Sequence, residues 1–352
     1  MRILFVISAF TSGGSERVVS ILATRFAAKY ETEIICMRGR EAFYAVDERV
    51  RVVFADDFAE GWINKMLWLR RYVQRNDVVI AFMAKIYTLV LVSLLGKRST
   101  VIASERNDPR HDGLLWKLMR KLILGTAKAL VVQTNTIKES FPKPIQKKTH
   151  IILNPVEKSQ YSDSSWDSES KMVLAVGRAD SQKNYPMMIH AFSRLTLKHP
   201  DFHLEIWGNR SVEKKEHLQR LIDQAGATNS ISIHDKTNKV AELYERAYMF
   251  VMSSNYEGLS NSLLEALCSG LPVISTRVSG ATDVITHGEN GLLVEAGDEL
   301  GFYEAMNQLI ANPCLAKKLS ERARMCKDQF DVDKICARWE QLIKKIIEET
   351  AK

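Results

Sequence analysis

Cysteine is scarce in this 352-residue chain: Cys36, Cys268, Cys314, Cys326 and Cys336 are odd in number, scattered, and never spaced as C-x-x-C. That excludes a disulfide-stapled scaffold and a zinc ribbon, and it suits a reducing cytosol. Long apolar runs are also missing. The longest candidate, Ile86 to Leu95, is half of what a membrane span requires, so the chain is expected to be soluble or peripheral. The opening MRILFVISAF carries one basic residue and flows straight into a Gly-rich turn, so it reads as a buried first strand rather than a cleaved leader. That turn lacks the G-x-G-x-x-G spacing, which counts against a nicotinamide enzyme. Aromatic residues do not interleave with basic ones, which sets nucleic-acid binding aside.

What remains is an ordinary folding composition, 46% hydrophobic and 26% charged. The length exceeds what one core usually supports, so two domains are expected. The net charge of +7 is unevenly divided. Residues 1–160 hold 26 basic and 15 acidic side chains, net +11, which leaves 23 and 27, net −4, for residues 161–352. A basic first half favours an anionic partner such as a phosphate-bearing lipid or an acidic membrane surface, although a solvated surface tuned for solubility has the same composition.

Short Val/Ile/Leu-rich runs alternate with amphipathic stretches: Arg2–Ser8, Thr32–Met37, Val50–Phe54, Val78–Phe82, Val101–Ser104 and Ala129–Val132 read as strands, with helices over Glu16–Lys29, Gly61–Gln74, Tyr87–Leu95 and Leu114–Leu124 between them. This is βαβ rhythm, with strands buried on both faces. Around Asn154 to Ser170 the pattern gives way to Ser and Asp, and a linker is placed there. A second series follows, with strands at Met172–Val176, His203–Trp207, Ile231–Ile233, Met249–Met252 and Val273–Ser275. The expected fold is α/β, with two tandem Rossmann-like, doubly wound domains facing a cleft. The domains are 1–160 and 161–332, and a final helix over about 333–350 packs back on the first. Ligands of such sheets bind beyond the carboxyl ends of the strands.

Three segments there carry candidate chemistry. TSGGSE at 11–16 lets the backbone approach a ligand at a helix start through Gly13 and Gly14, though a tight turn needs the same glycines. In VLAVGRADSQKN, a strand ends at Gly177 and one loop then offers Arg178 and Lys183, a fork and a point charge suited to a diphosphate. In SSNYEGLSNSLLEALCSG, Glu257 and Gly258 lie in a loop, Leu259, Ser260 and Asn261 enter a helix, and Glu265 is expected about two turns along it. Two carboxylates flanking a helix start can accept from vicinal hydroxyls while its free amides hold a hydroxyl or phosphate oxygen.

These segments together with LNP at 153–155, SGLPVIST, VSGATDVI and GENGLLV resemble, over the whole chain, the retaining glycosyltransferases of family 4, which have the GT-B fold. SGGSER and ASERNDP most resemble bacterial transferases that extend polyprenyl-diphosphate-linked oligosaccharides, including N-acetylgalactosaminyltransferases. The resemblance implies that Arg178 and Lys183 neutralise the donor diphosphate, that Glu265 binds the ribose hydroxyls, and that Glu257 with the amides of Gly258 to Asn261 holds the donor sugar. Gly14 would give the acceptor-side loop room beside the phosphates, and Gly14 and Gly177 count among the donor-binding residues. Arg178, Lys183 and Glu257 are thereby the catalytic candidates, with a UDP-sugar such as UDP-GalNAc as donor and a glycan or lipid-linked glycan as acceptor. No cofactor and no metal are implied.

One departure stands out: many relatives have a histidine after the fifth strand, where this chain has Glu105 and Arg106. Arg106 becomes a candidate for binding phosphate or orienting the sugar, against a structural salt bridge to Glu105 or Asp108. Ser15, Lys117 and Lys121 complete the acceptor-side candidates. On a helix over Arg110 to Lys128, Lys117, Lys121 and Lys128 share one arc with Arg120 at its edge, among Leu115, Trp116, Leu118 and Leu122. Trp62, Met66, Leu69 and Val73 form an apolar stripe opposite Arg71 and Arg75. Both helices suit an anionic membrane surface or a lipid diphosphate, unless their apolar faces belong to the core. The expected location is cytoplasmic, peripheral to the inner face of the membrane. A nucleotide-sugar epimerase of similar build and a catalytically inert sugar-nucleotide binder are the alternatives.

Overall fold

The computed structural model describes residues 1–111, 113–157, 166–209 and 211–351, so positions 158–165 of the anticipated linker lie outside the described residues. The chain forms two compact units: unit 1 comprises Met1–Pro155 with Val332–Lys352, and unit 2 comprises Val156–Asp331.

Unit 1 runs β1 (Arg2–Ile7), α1 (Gly14–Phe26), β2 (Glu31–Cys36), β3 (Val50–Phe54), α2 (Gly61–Tyr72), β4 (Val78–Phe82), α3 (Ala84–Ser93), β5 (Thr100–Ser104), α4 (Leu114–Ile123), β6 (Ala129–Val132), α5 (Asn135–Glu139), α6 (Lys143–Gln146) and β7 (Thr149–Ile151). Its seven strands are ordered β3-β2-β1-β4-β5-β6-β7, with each neighbouring pair parallel. The near-continuous apolar strands follow from coverage of both faces. Within β1, Ile3, Phe5 and Ile7 join one core with α1, while Leu4 and Val6 join the other with α2 and α3.

Unit 2 runs β8 (Met172–Val176), α7 (Tyr185–Thr196), β9 (His203–Asn209), α8 (Val212–Gln224), β10 (Ile231–Asp235), α9 (Val240–Arg246), β11 (Met249–Met252), α10 (Asn261–Cys268), β12 (Val273–Thr276), α11 (Ser279–Val284), β13 (Leu292–Val294), α12 (Glu299–Ala311) and α13 (Pro313–Met325). The strand order is β10-β9-β8-β11-β12-β13, again parallel. In each unit the order reverses beside the first strand, between β1 and β4 and between β8 and β11. These are the switch points beyond whose carboxyl ends open α/β sheets take ligands.

The last helix, α14 (Val332–Ala351), belongs to unit 1, where Ile335, Trp339, Leu342, Ile343 and Ile346 bury themselves against the α1 side of the sheet. Glu340 ties it to the end of α1. Its carboxylate accepts from Tyr30 Oη at 2.7 Å and Lys29 Nζ at 3.0 Å, and pairs with Lys344 Nζ at 3.0 Å. These bonds, that from Tyr30 first, hold the Glu340 carboxyl down at about 2. A carboxyl lowered on folding stabilises the native state above its unfolded value, near 4.5, and that contribution is lost as the pH falls through about 2. Glu340→Gln is expected to lower the melting temperature on the order of 2 °C at pH 7, and the gap to the unsubstituted protein should narrow as melts are taken from pH 4.5 down towards pH 2.

Two sequence expectations for the helices are corrected. Of the α2 stripe, Leu69 and Val73 are 0% and 1% exposed and pack on the sheet, whereas Trp62 at its start stays exposed together with Ile63 and Leu67. The helix across Arg110 to Lys128 ends at Ile123, so Lys128 is not on it, and Arg120 is buried at 3.5 Å from Glu105 rather than bordering a basic arc. Both corrections arise because neighbouring helices on one sheet face decide which side of each is covered. Among the described residues no helix is long and apolar enough to cross a membrane.

Candidate active site

The switch point of unit 2 gathers the second-half candidates. β8 ends at Val176, Gly177 and Arg178 follow, and the loop from Ala179 to Asn184 returns to α7. Beside it, β11 ends at Met252 and leads through Ser253–Ser260 into α10. The two loops are stitched together. Ser253 Oγ donates to the carbonyls of Lys183 and Asn184 at 2.8 and 3.1 Å, the amide of Asn255 donates to Gln182 O at 2.8 Å, and Gln182 Nε2 donates to Tyr256 O at 3.0 Å. Asn184, at φ 49°, turns the chain in the left-handed region that asparagine tolerates, and its amide reaches Asn255 Oδ1 at 3.1 Å.

That seam fixes Lys183 against Glu257: Nζ lies 2.6 Å from Oε1, with side chains 15% and 11% exposed. Ser254 Oγ donates to the same carboxylate oxygen at 3.0 Å. The expected diphosphate cation and the expected sugar-binding carboxylate are thus paired with each other. Gly177 is where the lysine stem crosses the strand end, since a Cβ there would stand 2.8 Å from Lys183 Cε and 3.0 Å from Tyr185 Oη. Arg178 is the exposed member, its side chain 69% accessible and its Nε 3.8 Å from Asp180.

Glu265 is buried and accepts from Tyr244 Oη at 3.1 Å. Because α10 begins at Asn261, Glu265 lies about one turn into it, closer to the helix start than the two turns read from the sequence. Leu259 and Ser260 are buried before that start, with Ser260 extended at φ −73°, ψ 123° as the cap. Arg178, Lys183, Glu257, Gly258 to Asn261 and Glu265 thus all belong to the β8/β11 edge of one unit.

Supports missed by the sequence reading surround them. Gly280 in α11 lies so close to the 257–259 loop that a Cβ would come within 1.9 Å of Gly258 O and 2.7 Å of Leu259 Cα. Gly208, at φ 114°, brings β9 against the backbone of Gly177. Ser253, Ser254, Asn255 and Gln182 form the seam. The glycines of VSGATDVI and IWGN were visible signals; the seam residues had none, since their roles are set by a partner loop about 70 residues away.

The remaining candidates lie in unit 1. Gly14 and Ser15 open α1 after β1, and Ser15 Oγ lies 3.3 Å from Met83 Sδ. Met83 follows β4 at φ 76°, a strained non-glycine conformation at the switch point. Glu105 is buried and accepts from Tyr87 Oη at 2.8 Å and the amides of Arg106 and Asn107 at 3.0 and 3.3 Å, with Arg120 beside it. Burial raises its pKa, while Arg120, Tyr87 and the amides oppose the shift. Arg106 is in neither anticipated salt bridge, because Asp108 is taken by Arg110. Instead, Nη1 donates to Asn154 Oδ1 at 2.6 Å and the guanidinium lies 4.5 Å over Phe82, leaving Nε and Nη2 buried with no hydrogen-bond partner among the described residues. Burial lowers its pKa to about 9, still cationic at neutral pH. Lys117 and Lys121 are exposed on α4, with Lys117 Nζ donating to Arg110 O at 2.9 Å. Also at this edge, a cavity of about 570 Å³ is lined by Thr11, Arg38, Arg40, Glu41, Asp56 and their neighbours. No cluster of three or more His, Cys, Asp or Glu suited to a metal ion occurs among the described residues.

Two doubly wound units with parallel sheets, each with its switch point beside the first strand, define the GT-B class. The solved structure of Anabaena HepE, in complex with UDP, superposes with a TM-score of 0.82 at 15% identity, covering 98% of this chain and 100% of that one. Residues 157–325 match the family model described as Glycosyl transferases group 1, and the chain is a glycosyltransferase. From Campylobacter jejuni, an α-1,4-N-acetyl-D-galactosaminyltransferase acting on a GalNAc-containing diNAcBac-PP-undecaprenol is 26% identical over 98% of this chain and 99% of its own length. A second transferase from that organism, the N-acetylgalactosamine-N,N'-diacetylbacillosaminyl-diphospho-undecaprenol 4-α-N-acetylgalactosaminyltransferase, is 24% identical over 92% and 94%.

Proposed function

We propose that this chain is a retaining transferase that moves an N-acetylhexosamine or hexose from a UDP-sugar, UDP-GalNAc first among them, to a glycan carried on polyprenyl diphosphate. The observation that carries this reading is the Lys183–Glu257 pair at 2.6 Å on the switch-point edge of the unit that matches Glycosyl transferases group 1, beside the start of α10 and the buried Glu265. The relatives that act on undecaprenyl-diphosphate glycans support the acceptor class.

In this mechanism the donor diphosphate takes Lys183 from Glu257. Lys183 and Arg178 then face the β-phosphate as charge develops on it, stabilising the leaving UDP with fixed cations in a partly water-excluded site. Glu257, released, accepts from the sugar hydroxyls, and the amides from Gly258 to Asn261 hold the sugar against it. Glu265, steadied by Tyr244, accepts from the ribose diol. Attack on the face the UDP leaves, with its phosphate receiving the acceptor proton, retains the anomeric configuration.

Acceptor recognition is assigned to unit 1, through Gly14, Ser15, Glu105 and Arg106 at its carboxyl edge and Lys117 and Lys121 on α4. Leu118, Met119 and Leu122 are exposed on that helix, Leu122 at 79%. An exposed leucine next to lysines favours a lipid-borne anion over a free sugar, and a peripheral cytoplasmic location at the membrane follows from the acceptor.

The test is calorimetric titration of UDP, paired with UDP release on extracted lipid-linked glycan. Glu265→Gln is expected to weaken UDP binding ten-fold or more, having lost a charged acceptor. UDP binding unchanged by Glu265→Gln would remove its ribose role, and UDP-sugar consumption without any acceptor would favour an epimerase.

A further inference from the structure

The amino edge of the unit 1 sheet holds a second cationic feature that the transfer reaction does not use. α2 and α3 pack side by side and both end at that edge. Between their last turns is a cavity of about 690 Å³, lined by Arg70, Arg71, Arg75, Lys97 and Arg98 with Leu67 at its rim and no acidic side chain among the described lining residues. Arg75 and Arg98 lie three and two residues before β4 and β5, so a strand length, about 15 Å, separates this groove from the carboxyl edge where Ser15 and Arg106 lie. One phosphate cannot occupy both.

Two of the five cations are accounted for by the fold. Arg70 Nη1 donates to the carbonyls of Ser93 and Leu95 at 2.9 and 2.8 Å, closing the end of α3. Lys97 Nζ donates to the carbonyls of Arg70 and Val73, closing the end of α2. The helices therefore cap each other and hold the walls of the groove rigid. Arg71, Arg75 and Arg98 have no such employment: among the described residues none makes a hydrogen bond or ion pair, and the nearby acid Asp77 is committed to Arg2 at 2.5 Å. Three guanidinium groups gathered around one cavity repel one another unless an anion joins them.

The rim identifies the anion. Along α2, Leu67 and Ile63 are 50% and 75% exposed, one and two turns before Arg71; Val92 in the last turn of α3 and Leu95 just past its end are 45% and 58% exposed, close to Gly96. A soluble phosphate needs the cations alone, whereas a bilayer surface offers phosphates with acyl chains just beneath them, matching arginines flanked by exposed branched aliphatics. We infer that this groove seats the phosphate of an anionic phospholipid headgroup, held by Arg71, Arg75 and Arg98, while Ile63, Leu67, Val92 and Leu95 rest on the acyl boundary.

The test is flotation of the full chain with vesicles of phosphatidylcholine, alone or mixed with phosphatidylglycerol. The unsubstituted protein is expected to partition at least ten-fold better onto the mixed vesicles, and the triple variant Arg71→Glu, Arg75→Glu, Arg98→Glu to lose that gain, while Lys117→Glu with Lys121→Glu retains part of it. Undiminished binding of the triple variant to the mixed vesicles overturns the assignment. So does a rise in melting temperature with inorganic phosphate that the triple variant abolishes while vesicle binding stays the same, since the groove then serves a soluble anion. UDP titration separates this from the transfer reading: the triple variant should bind UDP as the unsubstituted chain does. If it fails to fold, Arg71→Gln, Arg75→Gln, Arg98→Gln serves in its place.

Discussion

Lys183→Ala is expected to lower kcat/KM for UDP release by about 10²–10³-fold, the usual loss when one preorganised donor facing a developing charge is removed. Two physical effects must be separated. Lys183 faces the donor diphosphate in the proposed mechanism, yet it also pairs with the buried Glu257 at 2.6 Å. Deleting the ammonium leaves that carboxylate accepting from Ser254 Oγ at 3.0 Å without its cation, and stranding one member of a buried pair is itself destabilising. Glu257→Gln supplies the control, because it removes the stranded charge while nearly preserving shape. If the lysine acts on the phosphate, its removal costs as much in the Glu257→Gln background as alone. If it serves only Glu257, the double variant regains the activity of Glu257→Gln, and the phosphate role is lost. Melting curves taken with the kinetics keep folding out of the comparison.

Gly280→Ala is expected to reduce turnover by about 10²-fold or more, although Gly280 bears no chemistry of its own. A Cβ at this position would fall 1.9 Å from Gly258 O, 2.8 Å from Gly258 C and 2.7 Å from Leu259 Cα. All three are backbone atoms, so no side chain can swing aside. Either α11 retreats or the 257–259 loop shifts, and with it go the Glu257 carboxylate and the amides leading into α10. Overpacking of this kind costs about 1–3 kcal/mol, which a thermal melt reads directly. The kinetic loss should exceed what partial unfolding explains, and UDP affinity should fall with it. Turnover equal to that of the unsubstituted protein would show that the loop position does not govern the reaction.

Several elements were legible before any coordinates. β3, β4, β6, β8 and β11 run over the residues that apolar patterning gave them, because a strand covered on both faces must be apolar throughout. The short elements were not: α5, α6, β7 and β13 span three to five residues each, too few for a period to show. The division between units was read at 160/161, whereas the second compact unit begins at Val156. Composition marks a polar stretch but not the residue at which packing changes sides.

Among the site residues, Arg178, Lys183, Glu257 and Glu265 could be named from their residue types at strand ends. Their mutual placement could not. Lys183 meets Glu257 because Ser253, Asn255 and Gln182 stitch two loops about 70 residues apart. Arg106 turns to Asn154 and Phe82 because Arg120 and Arg110 have already taken its acidic neighbours.

The sequence by itself determined the class of fold, the strands that build it and the kinds of charge at each strand end, since periodicity and composition act locally along the chain. Only the tertiary structure decided which of those charges meet, which residues of α2 are covered, and that three arginines at the amino edge find no side-chain partner among the described residues. Those outcomes depend on distances across the sheet order β3-β2-β1-β4-β5-β6-β7 and its counterpart in the second unit, and distances between residues far apart in sequence are set by packing rather than by local pattern.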